Sequence, residues 1–405
     1  MLPVLVMSAL YLPIHAEDWP QWRGPNRTGI SKETGWLDNW PDNKAPEIAW
    51  RAQVGRGHSA VSVAGGRAYT LGWENERDTV FCLDAKTGKE IWKDSYKAPG
   101  IRQWPGPRAT PTVHGEQVFT LSLDGQLRVY DTKDGKLKRQ TRLPAGYNPD
   151  EDYGFAWSPL VQGELLILPA GKGGAAVKIA DGSFAWGNDG GQAACASPVP
   201  YTLGGKAGVA VITTNPGRNN VSLVGLDPVT GKQQWRYADW PEKWGAACSD
   251  LLVHDGKVFV ATGEQHKRCA RFTIQTDGKL KQDWESGSLP CYTCCPVLID
   301  GHIYGIAPPG LLKCVDWNTG KVKWDERGFG DYGSLIAADG LLIIQTGTAG
   351  KLVIAKAVPT GFDPLRSVTV FQGKPETFTP PVAANGHIYC RSYLGEVVCL
   401  RTGKN

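Results

Sequence analysis

Polar and apolar positions along this chain alternate in short runs broken by glycine-bearing turns. Residues 111–131 show the pattern: Pro111-Thr-Val-His-Gly-Glu-Gln-Val-Phe-Thr-Leu-Ser-Leu123, then Asp124-Gly125, then Gln126-Leu-Arg-Val-Tyr-Asp131. Short runs with a period of two predict antiparallel hairpins rather than helices. Four of them make one unit. An inner strand ends near His114-Gly115, a second before Asp124-Gly125, a third in Asp131, and an outer strand follows the next turn.

The unit repeats. Asp84-Ala-Lys-Thr-Gly-Lys-Glu-Ile-Trp92 recurs as Asp227-Pro-Val-Thr-Gly-Lys-Gln-Gln-Trp235 and Asp316-Trp-Asn-Thr-Gly-Lys-Val-Lys-Trp324. A Thr-Gly or Asp-Gly pair places its glycine at 88, 135, 182, 231, 278, 320, 361 and 403, at spacings of 41 to 49 residues. Four-stranded units of that size are propeller blades. The last repeat ends after its third strand, whereas Pro46-Glu-Ile-Ala-Trp-Arg-Ala-Gln-Val54 reads as an outer strand with no blade before it. The expected fold is therefore all-β: an eight-bladed β-propeller of four-stranded antiparallel blades, closed by the N-terminal strand pairing into the last blade. Trp92, Trp186, Trp235 and Trp324 each follow their turn glycine by four residues, and Trp50 matches them. Such rings are expected to pack between neighbouring sheets. The second and seventh repeats carry Arg139 and Leu365 there, the fifth has Trp284 two places later, and these blades are expected to be less regular.

Composition agrees, with 50 Gly and 28 Pro among 405 residues supplying many tight turns. A net charge of only +4, without a basic block, excludes a nucleic-acid footprint. The one continuous apolar run, Leu2 to Ile14, is shorter than the ~20 residues that span a bilayer. It reads as the hydrophobic part of a signal peptide ending near Ala16. The expected layout is a signal peptide at 1–16, an N-terminal extension at 17–45 and the propeller at 46–405, in a periplasmic or secreted monomer with no membrane span.

The repeat Asp-x-x-Thr-Gly-Lys-x-x-Trp, with a Ser-Pro or similar pair opening the inner strand, resembles the pyrrolo-quinoline quinone (PQQ)-like β-propeller repeat family over about residues 46–405. That family includes quinoprotein alcohol dehydrogenases, which bind PQQ and calcium on the propeller axis, and an outer-membrane assembly lipoprotein with no cofactor. The segment Asp18-Trp-Pro-Gln-Trp-Arg-Gly-Pro-Asn-Arg-Thr-Gly29 resembles the leader of exported PQQ-like proteins of unassigned function. The resemblance implies the fold, but one fold hosts many functions.

The Thr-Gly-Lys turns are short and alike, so variable chemistry is expected on the opposite face, where outer strands connect to the next inner strands. The inner-strand starts bring His58, Arg108, Trp157, Asp250 and Tyr332 to the channel mouth, and Arg391 joins them from a turn on that face. A cation, a carboxylate and aromatic faces around one axis suit a planar or anionic ligand; the alternative is a solvated or mutually hydrogen-bonded rim. The acidic run Asp150-Glu-Asp152 beside Tyr153 reads as a solvated loop rather than a calcium site. In Cys291-Tyr-Thr-Cys294-Cys295 a cysteine stands where covalent haem attachment requires His. A disulfide, free thiols or a metal site remain open there, and the resemblance adds a Cys294–Cys295 disulfide lying over a cofactor. The expected function is an exported, non-catalytic binding or scaffold propeller without a cofactor. Its partner would be a protein, small molecule or glycan of the cell envelope, met by loop aromatics such as Trp104, Tyr147, Trp240 and Trp244. The alternatives are a PQQ- and calcium-dependent alcohol or sugar dehydrogenase, with Asp250 as base beside Trp157, and a carbohydrate-binding propeller.

Overall fold

The computed structural model describes residues 17–35, 40, 46–100, 104–144, 147–148, 153–171, 173–187, 191–192, 194–215, 217, 219–242, 247–263 and 266–402. The signal-peptide segment, Asp150–Asp152, Trp244 and the Tyr147 side chain lie outside the described residues. Eight antiparallel four-stranded sheets make the ring, with no helix among the described residues. From blade 1 to blade 8 the inner strands are Ser62–Ala64, Thr112–His114, Leu160–Gln162, Val199–Leu203, Leu252–His254, Val297–Ile299, Ser334–Ala338 and Val382–Ala384. Blade 8 draws its outer strand, Glu47–Gln53, from the start of the propeller, where it pairs antiparallel with Glu396–Arg401 and sets Trp50 opposite Cys399. This closure gives the last blade the outer strand that its own segment does not supply and joins the two ends of the ring.

The repeated motif has a physical grammar. Asp84 Oδ1 accepts hydrogen bonds from Thr87 N and Oγ1, both at 2.8 Å, and Asp227 and Asp316 hold their turns in the same way. The turn then needs a residue at positive φ, which Gly88 (+70°) and Gly135 (+72°) adopt without steric cost. The glycine has a second purpose, because the indole of the preceding blade lies directly on it. A Cβ at Gly88, Gly135, Gly231 or Gly320 would come within 2.5–2.6 Å of Trp50, Trp92, Trp186 or Trp284 respectively. Each of these indoles also donates Nε1 to a backbone carbonyl of the next blade, as Trp92 does to Thr132 at 3.0 Å. Trp235 departs from this, packing instead on Gly225 of its own sheet.

Blades 2 and 7 are not the irregular ones. Arg139 replaces the indole by donating to the Ile179 and Ala180 carbonyls of blade 3, so the same join is made by a guanidinium. Blade 7 keeps a seven-residue outer strand, Asp363–Thr369. Blade 3 has the shortest strands, although its Trp186 is present.

Residues 17–35 run into the axis and touch the blades in turn. Trp19 pairs antiparallel with Val63 of blade 1, and Pro20 O accepts from Val113 N of blade 2. Arg27, fully buried, donates to the carbonyls of Ser158 and Pro159 before blade 3 and Pro198 before blade 4. Arg23 donates to Pro296 O before blade 6 at 2.6 Å, Ile30–Ser31 lie parallel to the inner strand of blade 7, and Glu33 accepts from Asn385 N and Gly386 N of blade 8. Blade 5 is reached through Asp250.

Candidate functional site

Where the inner strands begin, a relay of side-chain acceptors joins one blade to the next. Ala60 N donates to Thr110 Oγ1 (3.0 Å), Thr110 N to Ser158 Oγ (2.8 Å), Ser158 N to Ser197 Oγ (3.0 Å), Ser197 N to Asp250 Oδ1 (2.7 Å) and Asp250 N to Cys295 Sγ (3.3 Å). The small residues at these positions thus satisfy buried backbone donors that no sheet ladder reaches. Asp250 differs from the others because it has a second oxygen. Oδ2 accepts from Trp22 Nε1 at 2.7 Å, and the Arg23 guanidinium lies 3.9 Å away. Burial pushes the Asp250 carboxyl up, and Arg23, Trp22 and the Ser197 amide oppose it. Burial pulls Arg27 down to about 9, so it stays charged at neutral pH.

Above Trp22, on the face of the variable connections, lies a cavity of about 310 Å³. Its wall combines His58, Trp104, Tyr332 and Phe378 with Arg108, Ser158, Ser197, Asp250 and Thr293, together with Tyr153 and Tyr292. The aromatic part is one packed cluster. His58 lies 4.6 Å from Phe378 and 4.9 Å from Tyr393, while Tyr332 lies 4.4 Å from Phe378, between ring centroids. Burial lowers the His58 pKa well below its ordinary 6.5, and Arg108 and Arg391 push the same way, so the imidazole is neutral at pH 7. Arg108 donates to Gly106 O and Trp104 O and sits over the Tyr153 ring. It has no ion pair among the described residues.

Of the six residues that sequence reasoning placed here, His58, Arg108, Asp250 and Tyr332 share the cavity wall. Trp157 does not. Its neighbour Ser158 turns inward to the relay, and the indole is buried in the blade 2–3 core beside Phe155. Arg391 is also absent from the wall: buried at the closure seam, it donates to Ser59 O, Thr70 Oγ1 and Gly55 O. Trp240, expected as an exposed loop contact, is buried within the blade 4–5 core. Cys294 and Cys295 are separate thiols, not a disulfide. Being consecutive in extended chain they reach different neighbours, Cys294 Sγ accepting from Ile306 N and Cys295 Sγ from Asp250 N. Sequence reasoning passed over Trp22 and Thr293. The Trp-Pro-Gln-Trp-Arg run was visible, but nothing in its spacing tied it to the axis.

A calcium-held quinone needs six to eight oxygen ligands around the cation. Among the described residues Asp250 is the one carboxylate in the cavity wall, both its oxygens already accept protein donors, and no group of three or more His, Cys, Asp or Glu could hold a metal. The described wall residues alone do not supply such a donor set.

A family model described as outer membrane protein assembly factor BamB matches residues 40–197 and 208–361. No curated protein matches the chain significantly. Among solved structures, BamB from Moraxella catarrhalis superposes with a TM-score of 0.61 at 14 % identity, covering 88 % of this chain and 100 % of that one. A quinohemoprotein alcohol dehydrogenase from Comamonas testosteroni gives 0.67 at 15 % identity, covering 96 % and 81 %. The computationally designed Ika8 protein gives 0.61 at 11 %, covering 86 % and 98 %. Likeness at such identities concerns the fold alone.

Proposed function

Starting from a chain that belongs to the BamB family of β-propellers, we propose that it is an exported, non-catalytic binding protein that receives a small ligand in its axial cavity. One observation carries this reading. The carboxylate that would have to act as general base, Asp250, is committed through one oxygen to Ser197 N and through the other to Trp22 Nε1, while the cavity beside it is built like a receptor, lined by an aromatic cluster and a few polar groups. The pairing of Asp250 with Trp157 that a dehydrogenase reading invites is not made, since Trp157 lies in the core. The apolar run Leu2 to Ile14 supports export, and the rigid ring with distinct loops on one face also suits a protein partner of the envelope.

Adding PQQ and calcium to the purified protein while recording absorbance, melting temperature and dye-linked alcohol oxidation tests the reading. No spectral change, no thermal shift and no turnover are expected. A tight coloured complex that oxidises alcohols overturns it.

A further inference from the structure

We propose that the joint between blades 1 and 2 is a proton-operated element of the fold: the buried Asp78 carboxyl holds a proton in mild acid and releases it in mild base, where its charge competes with Asp94 for the Arg128 guanidinium. Asp78 is not in the wall of the axial cavity, so this element stands whatever the cavity binds.

Asp78 is the second residue of the blade 1 strand Arg77–Asp84, where it lies opposite Trp73 in one ladder and opposite Tyr96 in the other. It is 1 % exposed. Oδ1 has no hydrogen-bond partner, and Oδ2 has the Tyr96 hydroxyl at 3.5 Å, the outer limit of such a bond. An ionised carboxylate shut away from water needs good donors or a paired cation, and without them the neutral acid is the stable form.

The charged groups around it are already matched with one another. Arg128 of blade 2 lies over the Tyr96 ring, 3.8 Å from its centroid, and gives Nη1 to Asp94 Oδ2 at 3.3 Å and to the Tyr130 hydroxyl at 3.4 Å. Asp94 Oδ2 accepts from that hydroxyl as well, at 2.9 Å. Asp124, beside the blade 2 turn, pairs with Arg142 at 2.7 Å and accepts from Ser122 and Gln126. Arg77, next to Asp78 in the chain, donates to Ser95. Of the three carboxylates, Asp94 and Asp124 thus have a guanidinium each, and Asp78 has no ion pair among the described residues.

Burial pushes the Asp78 carboxyl up to about 7, the Asp124 charge adds to this, and Tyr96 and Arg128 oppose it. The proton is therefore exchanged close to neutral pH. Once ionised, Asp78 draws on the guanidinium that serves Asp94, and Arg128 Nε, buried and unpartnered, is an unused donor. The same guanidinium covers Tyr96, while Gln126 Nε2 donates to Lys97 O at 3.1 Å, so blade 2 holds the end of the blade 1 outer strand Glu90–Lys97. Drawing Arg128 away loosens that hold.

Chemical denaturation of the full chain from pH 5 to pH 9 tests the proposal, comparing the parent with Asp78→Asn, which keeps the shape and removes the charge. The folded carboxyl has a pKa above its unfolded value of about 4, so its contribution is whole in acid and is lost as pH rises to about 7. The folding constant of the parent should fall by roughly fiftyfold relative to that of Asp78→Asn between pH 5 and pH 8. Taking the ratio removes His58, which is common to both. Infrared spectra give a direct reading: a protonated-carboxyl C=O band, missing from Asp78→Asn, should be present at pH 5 and gone at pH 9. In Asp94→Asn, which frees Arg128, the midpoint of that band should fall by about one pH unit. Hydrogen exchange in residues 90–97 should quicken above pH 7 in the parent relative to Asp78→Asn. Parallel stability profiles, a carboxyl already ionised at pH 5, or a midpoint unmoved in Asp94→Asn overturns the proposal. Should Asp78→Asn fail to fold, the band that differs between the parent and Asp94→Asn decides by its midpoint.

Discussion

Gly135→Ala separates the two reasons for glycine at the repeat turn. Gly115 and Gly135 both adopt positive φ (+56° and +72°), but a Cβ at Gly115 meets nothing within 4 Å, whereas at Gly135 it would lie 2.5 Å from Trp92 Cδ2 and 2.6 Å from Cε3. Gly115→Ala therefore costs only the left-handed backbone term, about 1–2 kcal/mol. Gly135→Ala adds displacement of the indole. Overpacking of that kind costs roughly 1–3 kcal/mol, and moving the ring loosens the Trp92 Nε1 bond to Thr132 O, worth about 1 kcal/mol more. The expected gap between the two variants is about 2–4 kcal/mol, several degrees in melting temperature at roughly 2 °C per kcal/mol for a domain this large. Trp92→Leu should shrink that gap, because the smaller side chain leaves room for the methyl group. Equal melting temperatures for Gly115→Ala and Gly135→Ala, or no coupling to Trp92→Leu, would refute the idea that the repeat glycine serves the indole of the blade before it.

Other consequences follow from the axis. Asp250→Ser keeps an acceptor for Ser197 N but strips Trp22 and Arg23 of their partner, so it should destabilise by about 3–5 kcal/mol and speed proteolysis within residues 17–35; unchanged proteolysis would show that the segment is held without it. His58 has a folded pKa depressed below its unfolded value, so the unfolded chain alone takes up its proton and stability falls as pH drops below about 6.5. His58→Gln should therefore lose less stability than the parent protein between pH 7 and pH 5 in chemical denaturation, and identical losses would contradict the burial argument. Alkylation in denaturant without reductant should label all ten cysteines by intact mass, and eight labels would reveal a disulfide that the arrangement of Cys294 and Cys295 does not make.

What repeats in this chain was legible, and what occurs once was not. Blade number and closure were readable because Trp50 carries the same spacing logic as Trp92 and Trp324, and pairing with Cys399 puts it where that logic requires. Asp250 stood out as a carboxylate among small residues. Trp157 misled because an aromatic at an inner-strand start can face either the axis or the next blade, and its neighbour Ser158 took the inward position. Arg391 misled likewise: it reads as a turn residue, yet it ends a strand with its guanidinium inside the seam. Arg139 could be seen to replace a tryptophan, but its reach to the Ile179 carbonyl depends on where the next blade stands. The role of Trp22 was hidden for the same reason, since it depends on a residue 228 positions away.

These singular features share one origin in the relay that joins the blades. A hydroxyl such as that of Thr110 or Ser158 has a short reach and serves a single neighbouring amide. A carboxylate at the same place does that with one oxygen and projects the other towards the axis, where it can fix an indole and attract guanidinium groups. One acidic residue in blade 5 thus turns a blade-to-blade contact into one of the anchors of residues 17–35, and the anchored segment contributes Trp22 to the cavity wall. The cost of burying Asp250 is offset within the protein by Arg23 and Arg27.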